Sequence, residues 1–157
     1  IMPLVAPTVN SYKRLVEGFW APTRVTWAID NRTVAVRYIP GSAKSTRLEF
    51  RVPGSDVNPY LGVAASLAAG LYGIENKLSL KAAPIEGSAY ASAAAKDAVR
   101  LPRTLIEATE QFQKSKLAHE LFGSPFVEHF AATREWEWRQ SQLSVTDWEL
   151  KRYFEII

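Results

Sequence analysis

Between positions 47 and 51 the chain reads Arg-Leu-Glu-Phe-Arg. In an extended strand alternate side chains point to opposite faces, so Arg47, Glu49 and Arg51 share one face while Leu48, Phe50 and Val52 share the other. Two guanidiniums flanking a carboxylate can hold an anion with the arginines and a cation with the acid. Mg2+ beside phosphates demands that combination, because the metal keeps few protein carboxylates and bridges phosphate oxygens. The same pattern also suits a solvent-facing sheet laced by cross-strand ion pairs, and spacing alone leaves both readings open. Arg32 and Arg37 lie at the two ends of the preceding extended run, and Lys44 falls in the turn between the two runs. Adjacent antiparallel strands would bring these bases toward Arg47 and Arg51, a costly convergence of like charge unless an anion neutralises it.

The elements that must position these residues are legible from periodicity. Val25 to Asp30 alternates apolar with small or polar residues, and Thr33 to Ile39 is rich in β-branched side chains, with Asp30-Asn31 as a turn signal between them. This predicts an antiparallel hairpin. After the Pro40-Gly41-Ser42 turn comes the strictly alternating strand 47–52, whose Leu48 and Phe50 are expected to lie buried under the helix that follows. From Asn58, a capping residue followed by Pro59, the pattern is helical to about Lys77. Residues 79–103 read as an irregular connector with room for a short helix. Thr104 with Glu107 has capping-box spacing for a helix to about Ser115. Another helix runs from Ser124 to about Ser141, and Thr146 with Glu149 starts a last one ending near Phe154. The layout predicts an α+β fold, with antiparallel strands in the first third followed by helices. It divides into an arginine-rich β part, 1–56, and a mainly helical part, 57–157.

Composition narrows the function. The 157 residues fit one domain, and 47 % are apolar, enough for a core. No cysteine is present, so disulfides and thiolate metal sites are excluded. The longest apolar stretch, Leu61 to Ile74, is 14 residues against the roughly 20 of a membrane span, so no membrane role is expected. No basic segment leading into an apolar run opens the chain. The start, Ile1-Met2-Pro3 inside an apolar segment, reads as the middle of a longer protein. Net charge is +3, but residues 1–53 carry eight Lys/Arg against three acids and so hold +5. Six of the eight are arginines, the side chain that grips carboxylates and phosphates with paired hydrogen bonds. Nucleic acid would call for interleaved exposed aromatics or a recognition helix, and the helices here are net acidic with no such motif. His119 and His129 fall in helical segments without metal-ligand pairing and read as structural or surface residues. Trp136 and Trp138 read as packing or interface residues.

Beyond these readings, several blocks resemble the glutamine synthetase family. Pro7 to Val16, with its Asn-Ser-Tyr-Lys-Arg core, resembles the segment opening the last part of that catalytic domain. Asp30-Asn31-Arg32-Thr33 with Arg37 resembles the family's next arginine-bearing strand. Lys44 to Arg51 followed by Asn58-Pro59-Tyr60-Leu61 resembles its Lys-x-x-Arg-φ-Glu-x-Arg…Asn-Pro-Tyr block, and Ala69 to Ile74 the helix after it. The blocks occur in the family's order and spacing to within about one residue. The resemblance is strong over 5–77 and weaker but continuous to the C-terminus. It implies that 1–157 is the C-terminal portion of a glutamine synthetase-like catalytic domain.

It also implies a cytoplasmic, ATP-dependent glutamate–amine ligase working through γ-glutamyl phosphate, with Mg2+ or Mn2+, in a homo-oligomer whose sites are shared between neighbouring subunits. By position, Arg14 and Arg51 would bind glutamate or its γ-glutamyl phosphate, and Arg14 and Arg32 would act catalytically, Arg32 on the transferring phosphoryl group. Arg37, Lys44 and Arg47 would hold ATP phosphates, and Glu49 would ligate the bridging metal. The family's other metal ligands and its nucleotide-binding loop lie before the segment that begins here, so the chain by itself is expected to be inactive. One departure bears on the substrate. Ammonia-using members carry Gly-aromatic-Glu on a mobile flap, and here the order is Gly18-Phe19-Trp20. Tryptophan cannot attract ammonium by charge. This puts a γ-glutamyl-alkylamide or γ-glutamyl-polyamine synthetase beside a glutamine synthetase as readings, and a non-catalytic structural relative is the third.

Overall fold

The computed structural model describes residues 1–156. Its sheet has three strands, β1 (Trp27–Ile29), β2 (Val36–Ile39) and β3 (Arg47–Phe50), in the order β1-β2-β3. The α+β layout stands as expected, but one pairing differs. β2 and β3 are antiparallel, with Arg37 opposite Glu49 and Ile39 opposite Arg47, whereas β1 and β2 run parallel, with Trp27 opposite Val36. The Asp30-Asn31 signal does mark a turn, yet not a hairpin. Asp30 takes a left-handed φ of 47°, and Asn31 Oδ1 accepts from the Thr33 amide (2.9 Å) and hydroxyl (2.7 Å). The chain then dips so that Val34 is fully buried, and it re-enters the sheet in β1's own direction. A buried apolar residue in the middle of the connection is what a two-residue hairpin turn could not supply.

A second expectation is corrected. Leu48 is 70 % exposed and Phe50 37 %, and neither lies under a helix. The charged face is the better covered one, with the Arg37, Glu49 and Arg51 side chains at 14, 29 and 22 % exposure. Alternation was read correctly, and Val52 reaches the core as expected at 3 % exposure, but Leu48 and Phe50 do not, because the helix after β3 packs elsewhere. That helix, α2 (Pro59–Glu75), lies against α1 (Met2–Val5) and buries Ala65 fully, while Tyr60, Val63, Leu67, Leu71 and Ile74 form an outward stripe.

The helix starts follow the capping chemistry. Asn58 Oδ1 accepts from the amides of Tyr60 (3.0 Å) and Leu61 (3.4 Å) at the head of α2. After the short α3 (Ala93–Lys96), Thr104 caps α4 (Leu105–Lys114) by accepting from the Glu107 amide. The full reciprocal capping box forms only at Thr146–Glu149, ahead of α7 (Asp147–Tyr153). Between α4 and α6 (Ser124–Gln142) the sequence reading missed α5 (Lys116–Phe122). Ser115 breaks the helix with an extended ψ and at once caps the next by accepting from Ala118 N. His119 bridges this corner, with Ser124 Oγ at 2.9 Å and the Gln113 carbonyl at 2.8 Å from its two ring nitrogens, and His129 is exposed. Among the described residues no helix is long and apolar enough to cross a membrane.

The main core joins α1, α4 and α6 through Leu4, Val5, Phe112 and Val127, with Phe122, Phe126 and Phe130 packed around them. Phe112 sits at the centre, its ring 6.3 Å from that of Phe122 and 6.2 Å from that of Phe130, edge to face. Phe112→Ala should lower stability by about 3–5 kcal/mol, since the ring is 2 % exposed and its removal leaves a cavity among the other phenylalanines. Denaturant unfolding followed by circular dichroism would check it, and a loss under 1 kcal/mol would refute the central placement.

Candidate active site

The β2–β3 register sets the site. Arg37 and Glu49 are directly opposed on the same sheet face. Glu49 Oε2 accepts from Arg37 Nη1 at 3.0 Å and from Arg51 Nη1 at 3.4 Å, and Arg47 Nη2 stands 3.7 Å from Oε1. Three guanidiniums thus converge on one carboxylate. Arg37, hydrogen-bonded and charged, together with the charges on Arg47 and Arg51, holds the Glu49 carboxyl below the usual carboxylate range. Glu49 is therefore an anion wherever the protein is folded near neutrality. Arg37 also grips Asp30 through Nε and Nη2. Asp30 is an acid that the sequence reading counted only as a turn former. No local signal announces it, because the parallel pairing of β1 and β2 is what brings Arg37 back to Asp30.

Arg32 lines the same space, and among the described residues it forms no ion pair. Four arginines against Asp30 and Glu49 leave a net charge of +2, and all six groups come from positions 30 to 51. Such a surplus, held in place by backbone pairing, is a ready site for a polyanion. A cavity of about 430 Å3 is bounded by Trp20, Arg32, Arg37, Glu49 and Arg51. A larger one of about 960 Å3 shares Trp20, Arg32 and Arg37 and extends to a strap at 84–90. The strap is fastened to the sheet, with Ile85 N donating to Trp27 O (2.9 Å) and Ala89 N to Thr33 Oγ1 (2.9 Å). The irregular connector expected over 79–103 gave no sign of this strap, because the bonds that fasten it are long-range and it has no periodicity.

Trp20 enters both cavities from a tight turn. Gly18 has φ +88° and Trp20 φ +53°, so the indole projects outward at 66 % exposure while Ala21 and Pro22 are fully buried behind it. Arg51 Nη2 donates to Trp20 O at 3.1 Å, and Arg51 Nε to Arg32 O at 3.1 Å.

Two of the candidates read from sequence stand apart from this cluster. Arg14 Nη2 donates to the carbonyls of Arg51 (3.3 Å), Val52 (2.5 Å) and Pro53 (3.0 Å), clipping the exit of β3. Its burial, then the charge of Arg51, lowers its hold on its proton. Here it braces the backbone behind Arg51 and does not line either cavity. Lys44 is exposed in the turn and lines neither cavity. Glu49 is the metal-ligand candidate read from the sequence, and no cluster of three ligating side chains occurs among the described residues.

Residues 1–153 match the family described as the glutamine synthetase catalytic domain. The chain belongs to the glutamine synthetase family. Among its relatives in this family, a type-1 glutamine synthetase 2 of Dictyostelium discoideum is 59 % identical, covering 99 % of this chain and 30 % of the relative. A glutamate–isopropylamine ligase of Pseudomonas sp is 47 % identical over 96 % of this chain and 32 % of the relative. The gamma-glutamylethanolamide synthetase GlnA4 of Streptomyces coelicolor is also 47 % identical, over 97 % of this chain and 32 % of the relative. A solved ADP complex of GmaS superposes with a TM-score of 0.80 at 34 % identity, covering 98 % of this chain and 36 % of that one. This glutamine synthetase-family chain thus spans about a third of the length of the proteins it matches. Among them are ligases of glutamate with organic amines.

Proposed function

We propose that the chain is the C-terminal catalytic portion of an ATP-dependent ligase that joins the γ-carboxylate of glutamate to an amine bearing carbon. The observation that carries the reading is Trp20, an exposed indole bordering a cavity whose other walls are Arg32, Arg37, Glu49 and Arg51. The phosphate chemistry rests on those arginines. In the proposed first step an oxygen of the γ-carboxylate attacks the γ-phosphorus of ATP, giving γ-glutamyl phosphate and ADP. Arg37 and Arg47 would hold nucleotide phosphates, with Lys44 nearby, and Arg32, which forms no ion pair among the described residues, would meet charge developing on the transferring group. Arg51 would bind the glutamyl group, with Arg14 fixing the strand end from which Arg51 projects.

The donor set fits a divalent cation in one respect. Glu49 is a carboxylate kept ionised by its neighbours, and hard cations such as Mg2+ or Mn2+ take oxygen ligands of that kind. A bound metal would draw charge from the phosphates. Glu49 would be one of its ligands and the others would come from outside this chain, which covers about a third of its relatives, so the chain alone is expected to be inactive.

In the second step the amine nitrogen would attack the acyl carbon, phosphate would leave with the electrons of the broken C–O bond, and the nitrogen's proton would pass to solvent or to the departing phosphate. An acid at position 20 would attract ammonium by charge, and Trp20 supplies there instead a large apolar face that can also attract an organic cation. The Dictyostelium relative's name supports a second reading, in which ammonia is used and Trp20 only packs the turn. The deciding experiment assays a protein carrying the whole catalytic domain with glutamate, ATP–Mg and a panel of amines, following phosphate release. An alkylamine, ethanolamine or polyamine should give the highest kcat/KM. If ammonia leads the panel, the second reading takes over.

A further inference from the structure

The turn that carries Trp20 is anchored from two sides through consecutive carbonyls. Arg51 takes the Trp20 carbonyl, and the Tyr90 hydroxyl donates to the Ala21 carbonyl at 2.9 Å. Tyr90 in turn belongs to the strap, which is tied to the turn at 31–33. Asn31 Nδ2 donates to Gly87 O at 2.6 Å, and Ala89 N to Thr33 Oγ1 at 2.9 Å. The hydroxyl therefore links two walls of the larger cavity, one bearing Arg32 and one bearing Trp20.

The link has something to hold. A tryptophan with φ near +53° sits in a backbone region that bulky residues leave unless their surroundings over-determine them. Phe19 and Trp20 are 71 and 66 % exposed, so side-chain packing does little to fix the turn, and anchoring falls to the backbone carbonyls. Arg51 cannot do this alone. Its guanidinium is also shared with Glu49 and with Arg32 O, and an anion in the cavity would compete for it. The Tyr90 hydroxyl, by contrast, has the Ala21 carbonyl as its one side-chain hydrogen-bond partner among the described residues.

We propose that Tyr90 is a positioning residue, which holds the Trp20 turn in its cavity-closing conformation by hydrogen-bonding the Ala21 carbonyl and so sets affinity for the amine. The inference rests on the reading of Trp20 as the wall of the amine pocket. Tyr90→Phe removes one hydroxyl and keeps the ring, in a protein carrying the whole catalytic domain.

Two readouts separate the parts. Chymotrypsin should cut after Phe19 or Trp20 about fivefold faster in the variant, the scale of one lost hydrogen bond on local opening, with the melting temperature nearly unchanged. KM for the preferred amine should rise by about the same factor, while kcat at saturating amine and KM for ATP stay within about twofold. Unchanged cleavage overturns the proposal, whatever the kinetics. Faster cleavage with unmoved amine KM shows the tether but overturns its role in amine affinity, and with it the reading of Trp20 as the amine wall. An equal fall of kcat with every substrate would mark Tyr90 as merely structural, and would equally overturn the positioning role.

Discussion

Glu49→Gln, made in a protein that carries the whole catalytic domain, is expected to lower kcat by about 10²–10³-fold, the range found when one preorganised electrostatic group is removed from a transition state. The amide keeps the side chain's shape and can still accept from Arg37 across the strand pair, so the sheet should fold unchanged. What it loses is the negative charge. That charge would draw a divalent cation to the phosphates, and it also balances Arg37, Arg47 and Arg51. Without it the four arginines face only Asp30, and the cluster's surplus rises from +2 to +3. The nucleotide would then be held at least as tightly while the metal is held less well. The discriminating measurement is activity against free Mg2+, where the half-saturating concentration should rise at least tenfold. Wild-type dependence on Mg2+, even with reduced kcat, would remove Glu49 from the metal and leave it as a spacer for arginines.

Trp20→Glu should reorder the amines. The ratio of kcat/KM for the preferred organic amine to that for ammonia is expected to fall by about 10–10²-fold, the worth of one or two apolar groups in a pocket. Two effects act together. The indole face that would contact the amine's carbon disappears, and a carboxylate appears that would attract ammonium and could take its proton. The substitution carries a small backbone risk, since φ +53° is unfavourable for glutamate as it is for tryptophan. The control is KM for ATP, which should not move, because the hydrogen bond that ties Trp20 to the arginine cluster runs from Arg51, the proposed glutamyl-binding arginine, to a backbone carbonyl that the substitution keeps. An unchanged ratio would mean that Trp20 packs the turn and the amine is chosen elsewhere.

How far this could be read from residues alone depends on the range of the interactions. Period-two alternation at 47–52 correctly placed Arg47, Glu49 and Arg51 together, because side-chain alternation is a purely local property. Which face would be covered was not local, and there the expectation failed. Leu48 and Phe50 are exposed because α2 packs on α1 and not on the sheet. The parallel pairing of β1 and β2 was hidden for a related reason. A turn signal at Asp30-Asn31 fixes where the chain bends, while the burial of Val34 decides in which direction it returns. Helix starts at Asn58, Thr104 and Thr146 were legible since each cap is made within three residues. Arg14 shows the opposite limit. Its partners are the carbonyls of residues 51 to 53, and nothing in its neighbourhood along the chain announces them.

The arginine cluster and the Trp20 tether differ in sequence range, and this gives them different places in the order of folding. Every charged group of the cluster lies between positions 30 and 51, so only short loops close when β1, β2 and β3 pair, and the entropic cost of closure is small. The Tyr90–Ala21 bond spans 69 residues and waits for the strap to dock. Non-local contacts form late for this reason. During refolding the anion-binding sheet should therefore exist for a time with its tryptophan turn untethered. In that interval inorganic phosphate or pyrophosphate could occupy the guanidiniums, screen their mutual repulsion and act as a folding aid before the amine wall is in place.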